Sequence, residues 1–294
     1  MIPKISVIVT NWNGLHLLQK NLETITINSP EADEIILTDD ASSDQSLNYV
    51  SELQKKYSQI KIIHHSKNIG FAKNSNHAVK ACHGDLVVML NNDILPHPNY
   101  LSQAIKHFTD NLVFGVGLAE LNNENWGKFY WSEGYLQYEP GLSIKNSHIT
   151  GWLSGGSSIV NRAHFLKLNG FDEIYAPFYS EDLDLGYRAW KSGFKLLWEP
   201  KSIVEHKHEV TISKFPKRLL DYVKERNRLL VVWRNITDPS FLRSNKLALI
   251  GRVLTGPNYL KIILAAKRQI KKFPPPIVFP QKSDREILSL FKND

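Results

Sequence analysis

Residues 84–96 read GDLVVMLNNDILP. Leu86–Leu90 is a short apolar run that reads as a buried strand, and it stops abruptly on Asn91-Asn92-Asp93. A carboxylate directly after such a strand is held at the edge of a sheet. Three more runs of the same kind lie upstream: Ile5–Val9 (ISVIV), Glu34–Thr38 (EIILT) and Ile60–His64 (IKIIH). Between them, Leu15–Ile27, Gln45–Tyr57 and Phe71–Cys82 carry apolar residues at helical spacing. Strands that alternate with helices imply right-handed crossovers and a largely parallel central sheet, an α/β architecture. In such sheets ligands bind beyond the carboxyl ends of the strands. Here those ends are Thr10-Asn11, Asp39-Asp40, His65 to Gly70 and Asn91 to Asp93.

The alternation weakens after residue 120. Asn122–Asn146 reads as irregular or short antiparallel structure. Gly151 to Gly156 precede a strand-like Ser157–Val160 and a helix through Leu168. Glu181–Ser192 reads as a helix and Lys195–Trp198 as a short strand.

The chain has 294 residues, of which 42% are hydrophobic and 22% charged, enough for a sizeable core. It contains no apolar run long enough to span a bilayer, and its N-terminal apolar run is too short for a secretory segment, so the expected compartment is the cytoplasm. A single cysteine, Cys82, excludes an internal disulfide framework and a cysteine-based zinc site. Thr211 to Lys272 carries 15 Lys/Arg against 3 Asp/Glu, an excess of +12 in a chain whose net charge is +7. The basic character therefore belongs to the C-terminal third.

Several clusters invite chemistry. Asp93 is suited to a hard divalent cation that also bridges phosphate oxygens, although Asn and Asp also simply end strands. Asp40 sits at a ligand edge; Ser43 or Asp44 can cap the next helix, which leaves Asp40 to accept hydrogen bonds from a base or ribose. Asn68 to Asn76 form a turn into a helix start, where backbone amides and Lys73 can meet an anion. Glu181-Asp182-Leu183-Asp184 is the densest carboxylate run. Asp184 and Arg188, four apart, are expected to pair, leaving Glu181 and Asp182 as candidates for proton transfer. Phe171, Tyr175, Phe178 and Tyr179 just upstream are candidate walls and sugar-stacking faces. Of His206 and His208, which alternate along a strand, one at most points inward.

Taken in order, ISVIVTNWNG, EIILTDDASSDQS, NIGFAKNSNHA, GDLVVMLNNDILP, WLSGGSSIVNRAHFLKLNGFDE and FYSEDLDLGYRAWKSGFKLLWEP with VEHKH resemble the family-2 glycosyltransferases with a GT-A fold. Within them the chain looks most like bacterial rhamnosyltransferase-type enzymes of surface polysaccharide assembly. The resemblance covers about residues 3–210. It implies a catalytic domain over 1–210, with a nucleotide-sugar half (1–120) and an acceptor half (121–210), followed by a basic helical extension over 211–294. It also implies roles. Thr10, Asn11 and Asp40 would contact the nucleotide base; Asn68, Gly70, Phe71 and Asn76 would surround nucleotide and phosphate. Asn92 would lie near the ribose-sugar junction. Asp93 would hold Mg²⁺ or Mn²⁺, with His206 as an additional ligand. Asp182 would be the catalytic base, Glu181 would assist with the acceptor, and Trp152, Gly155 and Gly156 would face it. Asn91 stands where the family's D-x-D pattern has its first aspartate, and a neutral amide attracts a cation less. The implied reaction is inverting transfer from a nucleotide-diphosphate sugar, dTDP-rhamnose or a UDP-hexose, to a hydroxyl of a glycan or lipid-linked acceptor.

Two rivals are a nucleotidyltransferase, which would need a Gly-rich basic signature where this chain has Asn11-Trp12-Asn13-Gly14, and a catalytically inactive binding module of the same fold. In the basic tail, Leu219–Trp233 and Asn258–Lys272 read as basic amphipathic helices. These are expected to lie on an anionic membrane surface, or else to pack on the catalytic domain or a second subunit. Nucleic acid is not an expected partner, since no recognised binding motif accompanies the charge.

Overall fold

The computed structural model describes residues 3–121, 126–142, 144–206 and 215–292. The first half alternates as expected: β1 (Ile5–Asn11), α1 (Leu15–Ile27), β2 (Glu34–Asp39), α2 (Ser46–Lys56), β3 (Ile60–His64), α3 (Phe71–Ala81) and β4 (Leu86–Asn91). These strands pair in parallel in the order β3-β2-β1-β4. β1, β2 and β4 are buried on both faces, which is why they read as near-continuous apolar runs, whereas β3 is an edge strand with Lys61 and His64 exposed. Val7, Val9, Leu37, Val88 and Leu90 point into one core, Ile8, Ile36, Val87 and Met89 into the other.

The second half mixes directions. It contains β5 (Ile94–Pro96), α4 (Tyr100–Ile105), β6 (Val113–Glu120), β7 (Gly127–Ser132), β8 (Tyr135–Pro140), β9 (His148–Ile149), β10 (Ser157–Asn161), α5 (Arg162–Lys167), α6 (Glu181–Lys191) and β11 (Lys195–His206). β10 pairs antiparallel with β4 and β6, and β6 is parallel to β11, which ends the sheet against β5 and β9. The stretch read as irregular or short antiparallel contains the β7–β8 hairpin.

β11 is much longer than the expected Lys195–Trp198. A register break against β6 between Glu199 and Ile203 absorbs Pro200, and pairing then resumes to His206. This continuation sets His206 opposite Ile94 and Val204 opposite Glu120.

Four helices follow: α7 (Lys217–Asn235), α8 (Pro239–Thr255), α9 (Tyr259–Lys272) and α10 (Asp284–Ser289). They join the main core through Leu229, Leu230, Ile263, Ile287 and Phe291. Buried Asp284 ties the end of the chain down, accepting from Tyr187 Oη, Lys191 Nζ and the amides of Thr237 and Asp238. Among the described residues no helix is long and apolar enough to cross a membrane.

Candidate active site

The strand order reverses between β1 and β4, the place where open α/β sheets bind ligands. Register brings Thr10 level with Thr38 and Asn91, and Asn11 level with Asp39. A cavity of about 670 Å³ opens over these ends, within the size range of small-molecule sites.

Its floor is a chain of side-chain hydrogen bonds. Thr10 Oγ1 donates to Asn91 Oδ1 at 2.9 Å, Asn92 Nδ2 donates to Asn11 Oδ1 at 2.7 Å, and Asn11 Nδ2 donates to Asp39 Oδ2 at 2.8 Å. Gly14 makes room for this: a Cβ there would lie 2.1 Å from Asn92 Nδ2 and 2.5 Å from Asn11 Oδ1. Asn91 is similarly enclosed, since a Cβ on Gly156 would sit 2.3 Å from its amide nitrogen. Asp40 lines the cavity but is already engaged: its two oxygens accept the Ile69 and Gly70 amides at 2.7 and 2.9 Å. It therefore holds the Asn68–Phe71 turn in place while each oxygen keeps a further lone pair. The turn needs φ +85° at Gly70, which glycine adopts without a Cβ penalty. Asp44 accepts the Leu15 and Ser46 amides.

At one end of the cavity lie Asp93 and His206, which the β5–β11 register makes neighbours. His206 Nε2 stands 3.4 Å from Asp93 Oδ1, and His206 Nδ1 stands 3.0 Å from Glu120 Oε2. Burial opposes protonation of His206, but Asp93 and Glu120 outweigh it and raise its pKa to about 9. A carboxylate on one ring nitrogen that leaves the other facing a second acid is the arrangement of a metal-binding histidine and its supporting carboxylate. Asp93 Oδ1 is buried and meets His206 only through the long 3.4 Å contact, so a cation would add what that contact lacks. No three His, Cys, Asp or Glu side chains among the described residues gather as a metal site. The residues thus fit a hard cation, which Asp93 and His206 would hold. His208 lies outside the described residues.

The other wall is the start of α6. Glu181 and Asp182 both line the cavity, with Phe178, Tyr179 and Phe215 beside them. Burial, together with the adjacent Asp182 charge, pushes the Glu181 carboxyl up to about 8. The preceding residues, Tyr179 and Ser180, sit at φ +72° and +80°, costly conformations for residues with a Cβ. Buried Asn227 of α7 holds them: its amide nitrogen lies 2.9, 3.0 and 2.7 Å from the carbonyl oxygens of Tyr175, Phe178 and Tyr179. Deeper in α6, buried Asp184 and Arg188 pair at 2.7 Å, and Arg188 also donates to the Leu168 and Gly170 carbonyls.

Of the fifteen residues to which the family resemblance gives a role, thirteen line the cavity; Asn76 and Trp152 do not. Asn76 is buried in α3 and clamps the backbone of Phe171, donating to its carbonyl and accepting its amide. Trp152 packs over Gly127 and Phe129 and borders a smaller adjoining cavity of about 130 Å³. Lys73 faces Glu173 at 3.8 Å and does not line the main cavity. Phe171 and Tyr175 belong to the core, so of the four aromatics only Phe178 and Tyr179 form walls. Reading the chain missed Glu120, Asn227, Trp12 and Phe215, while Asn74 lies within the Asn68–Asn76 stretch it named. The exposed Trp12 carried a signal, a large aromatic in the turn after β1; Glu120 and Asn227 carried none, because only strand register and helix packing bring them in.

Comparison with known proteins agrees with this geometry. The chain is 25% identical over 234 residues to N-acetylgalactosaminyltransferase 7 of Drosophila melanogaster, covering 70% of this chain and 39% of that protein. It is 23% identical over 227 residues to O-antigen chain rhamnosyltransferase RfbN of Salmonella typhimurium, covering 74% of this chain and 71% of that one. A crystal structure of GalNAc-T7 with UDP, GalNAc and Mn²⁺ superposes with a TM-score of 0.65 at 16% identity, over 81% of this chain and 48% of that one, and is a likeness of fold. The family model for glycosyl transferase family 2 matches residues 6–168, more than half the sequence. With its mixed sheet, helical C-terminal region and ligand edge at β1 and β4, the chain has the GT-A fold and belongs to glycosyl transferase family 2.

Proposed function

We propose that the protein is an inverting glycosyltransferase that moves a sugar from a nucleotide-diphosphate donor to an acceptor hydroxyl in bacterial polysaccharide assembly. One observation carries the reading: Asp93 at the end of β4 and Asp182 at the start of α6 line a single cavity large enough for a nucleotide sugar. Thr10, Asn11, Asp40 and the Asn68–Phe71 turn receive the nucleotide, with Asn92 near the ribose-sugar junction. Asp182 takes the proton of the acceptor hydroxyl, whose oxygen forms a bond to the anomeric carbon while the carbon–oxygen bond to the diphosphate breaks on the opposite face. No second carboxylate is assigned to that face as a nucleophile, so a single displacement inverts the anomeric centre. Neutral Glu181 donates a hydrogen bond to the acceptor and leaves the negative charge on Asp182. Asp93 and His206 would hold Mg²⁺ or Mn²⁺, which when bound would supply charge neutralisation for the departing diphosphate, and Glu120 Oε2, 3.0 Å from His206 Nδ1, orients the His206 ring.

The likeness to an O-antigen rhamnosyltransferase favours dTDP-rhamnose as donor and a glycan or lipid-linked acceptor, and the fold shared with a UDP-bound enzyme keeps UDP-hexoses in the donor panel. Asp182→Asn is expected to abolish nucleoside diphosphate release from a panel of nucleotide sugars while the donor still raises the melting temperature. Asp93→Asn should weaken the manganese-dependent part of that rise. Turnover retained by Asp182→Asn removes that residue from the role of base.

A further inference from the structure

The 45 residues between Asp238 and Asp284 contain nine Lys/Arg and no Asp or Glu. They form α8, α9 and the segment after them. α8 is apolar on two sides. Phe241, Ala248, Leu249 and Val253 pack against the core, and Asn245 seats the helix by donating to the Gly134 carbonyl and accepting from Trp233 Nε1. On another side Leu247, Ile250 and Leu254 follow one another at helical spacing, with 65%, 50% and 78% of their surface exposed. Three large aliphatic side chains exposed together on one helix face mark an interaction surface. The neighbouring α9 repeats the pattern: Ile263 and Ala266 are buried, while Leu260 and Leu264 are 46% and 43% exposed. The same two helices carry Arg243, Lys246, Lys267, Arg268, Lys271 and Lys272. Among the described residues no carboxylate pairs with any of the six.

We propose that the α8–α9 face docks on an anionic lipid bilayer, the leucines entering the headgroup–acyl boundary and the cations meeting lipid phosphates. Charge decides the occupant. A second copy joined through the same patch would set these cations against themselves, because a two-fold interface places one surface on both partners. A nucleic acid would answer the charge but not the aliphatic side chains, since its single strands stack on aromatic ones. An anionic bilayer answers both.

The test is co-sedimentation of the full chain with vesicles of phosphatidylcholine alone and of phosphatidylcholine mixed with phosphatidylglycerol, at low and high salt. It needs no sugar donor, so it stands or falls separately from the transfer reaction. Pelleting with the anionic vesicles only, weakened by salt, is expected. One variant combines Lys267→Gln, Arg268→Gln, Lys271→Gln and Lys272→Gln; another combines Leu247→Ser, Ile250→Ser and Leu254→Ser. Each should lower the partition coefficient by at least roughly tenfold while the circular dichroism spectrum is unchanged. Failure to pellet with anionic vesicles, or a serine variant that pellets as well as the parent, overturns the proposal. So does a dimer in sedimentation velocity that the serine variant dissolves, which would make the occupant a second copy. Duplex DNA that binds parent and serine variant alike, with no vesicle binding, would identify a polynucleotide surface instead.

Discussion

Asn227→Ala tests how the catalytic wall is held. The side chain is fully buried, and its amide nitrogen is within hydrogen-bond reach of three carbonyls on the turn that leads into α6. Truncation leaves buried carbonyls without a donor and opens a small cavity, together worth about 2–4 kcal/mol of stability. The turn it frees includes Tyr179 and Ser180 at positive φ. Each such residue stores about 1–3 kcal/mol that is released on relaxation, so the turn has reason to move once unclamped. Glu181 and Asp182 follow directly, and a displacement of about 1 Å in a reacting group costs on the order of a hundredfold in rate. The nucleotide contacts proposed on β1 and β4 belong to elements that Asn227 does not touch and should be spared. The expected result is a kcat for nucleoside diphosphate release about a hundredfold lower, with donor KM changed by less than about threefold. Val223→Ala is the control: this residue is also buried on α7, but it makes no hydrogen bond to the turn. The reasoning is refuted if Asn227→Ala lowers the melting temperature yet keeps kcat, or if Val223→Ala costs the same kcat for a matched loss of stability.

Glu181→Gln imitates the neutral acid that burial and Asp182 favour below a pKa of about 8. Transfer at pH 7 should fall by no more than a few-fold, and a decline of the parent's activity above about pH 8 should be absent from the variant's profile; identical profiles would detach Glu181 from that limb. Glu34 sets a separate, structural pH dependence. Burial works against its ionisation, but Lys61, Ser6 and the His83 amide outweigh it and bring the carboxyl from 4.5 down to about 2. A folded-state pKa below the unfolded value contributes stability that is present above about pH 4.5 and lost as pH falls toward 2. It is worth up to about 3 kcal/mol. Melting temperature should therefore drop less steeply over that interval in Glu34→Gln than in the parent, and equal slopes would refute the assignment.

Three of the first four strands, β1, β2 and β4, were readable because each is a buried parallel strand whose apolar run is near-continuous; β3, at the sheet edge, keeps Ile60, Ile62 and Ile63 around an exposed Lys61. Their ends were readable for the same reason: where the run stops on Asn, Asp or Thr, the backbone has reached the edge. β11 was cut short in the reading because Pro200 looks like a terminator. A local break in register absorbs it, and that depends on β6, a strand some eighty residues earlier. Trp152 looked ligand-facing among its glycines. It packs against Gly127, where a Cβ would stand 2.1 Å from its ring, and lines the smaller cavity it shares with Asp182 and His206. The tail's charge and two of its helices were legible, but α8 escaped: with leucines toward both core and solvent it lacks a single apolar stripe.

What the sequence determined by itself was local: a run of alternating strands and helices, and which residues stand where a strand stops or a helix starts, Asp93 and Asp182 among them. Those properties follow from side-chain pattern and capping chemistry within a few positions. Only the tertiary structure decided which of those ends meet. His206 comes to Asp93 and Glu120 through strand pairing across a hundred residues, and Asn227 reaches the turn before α6 by helix packing. Such contacts depend on register and shape between distant segments, and short-range pattern does not encode them.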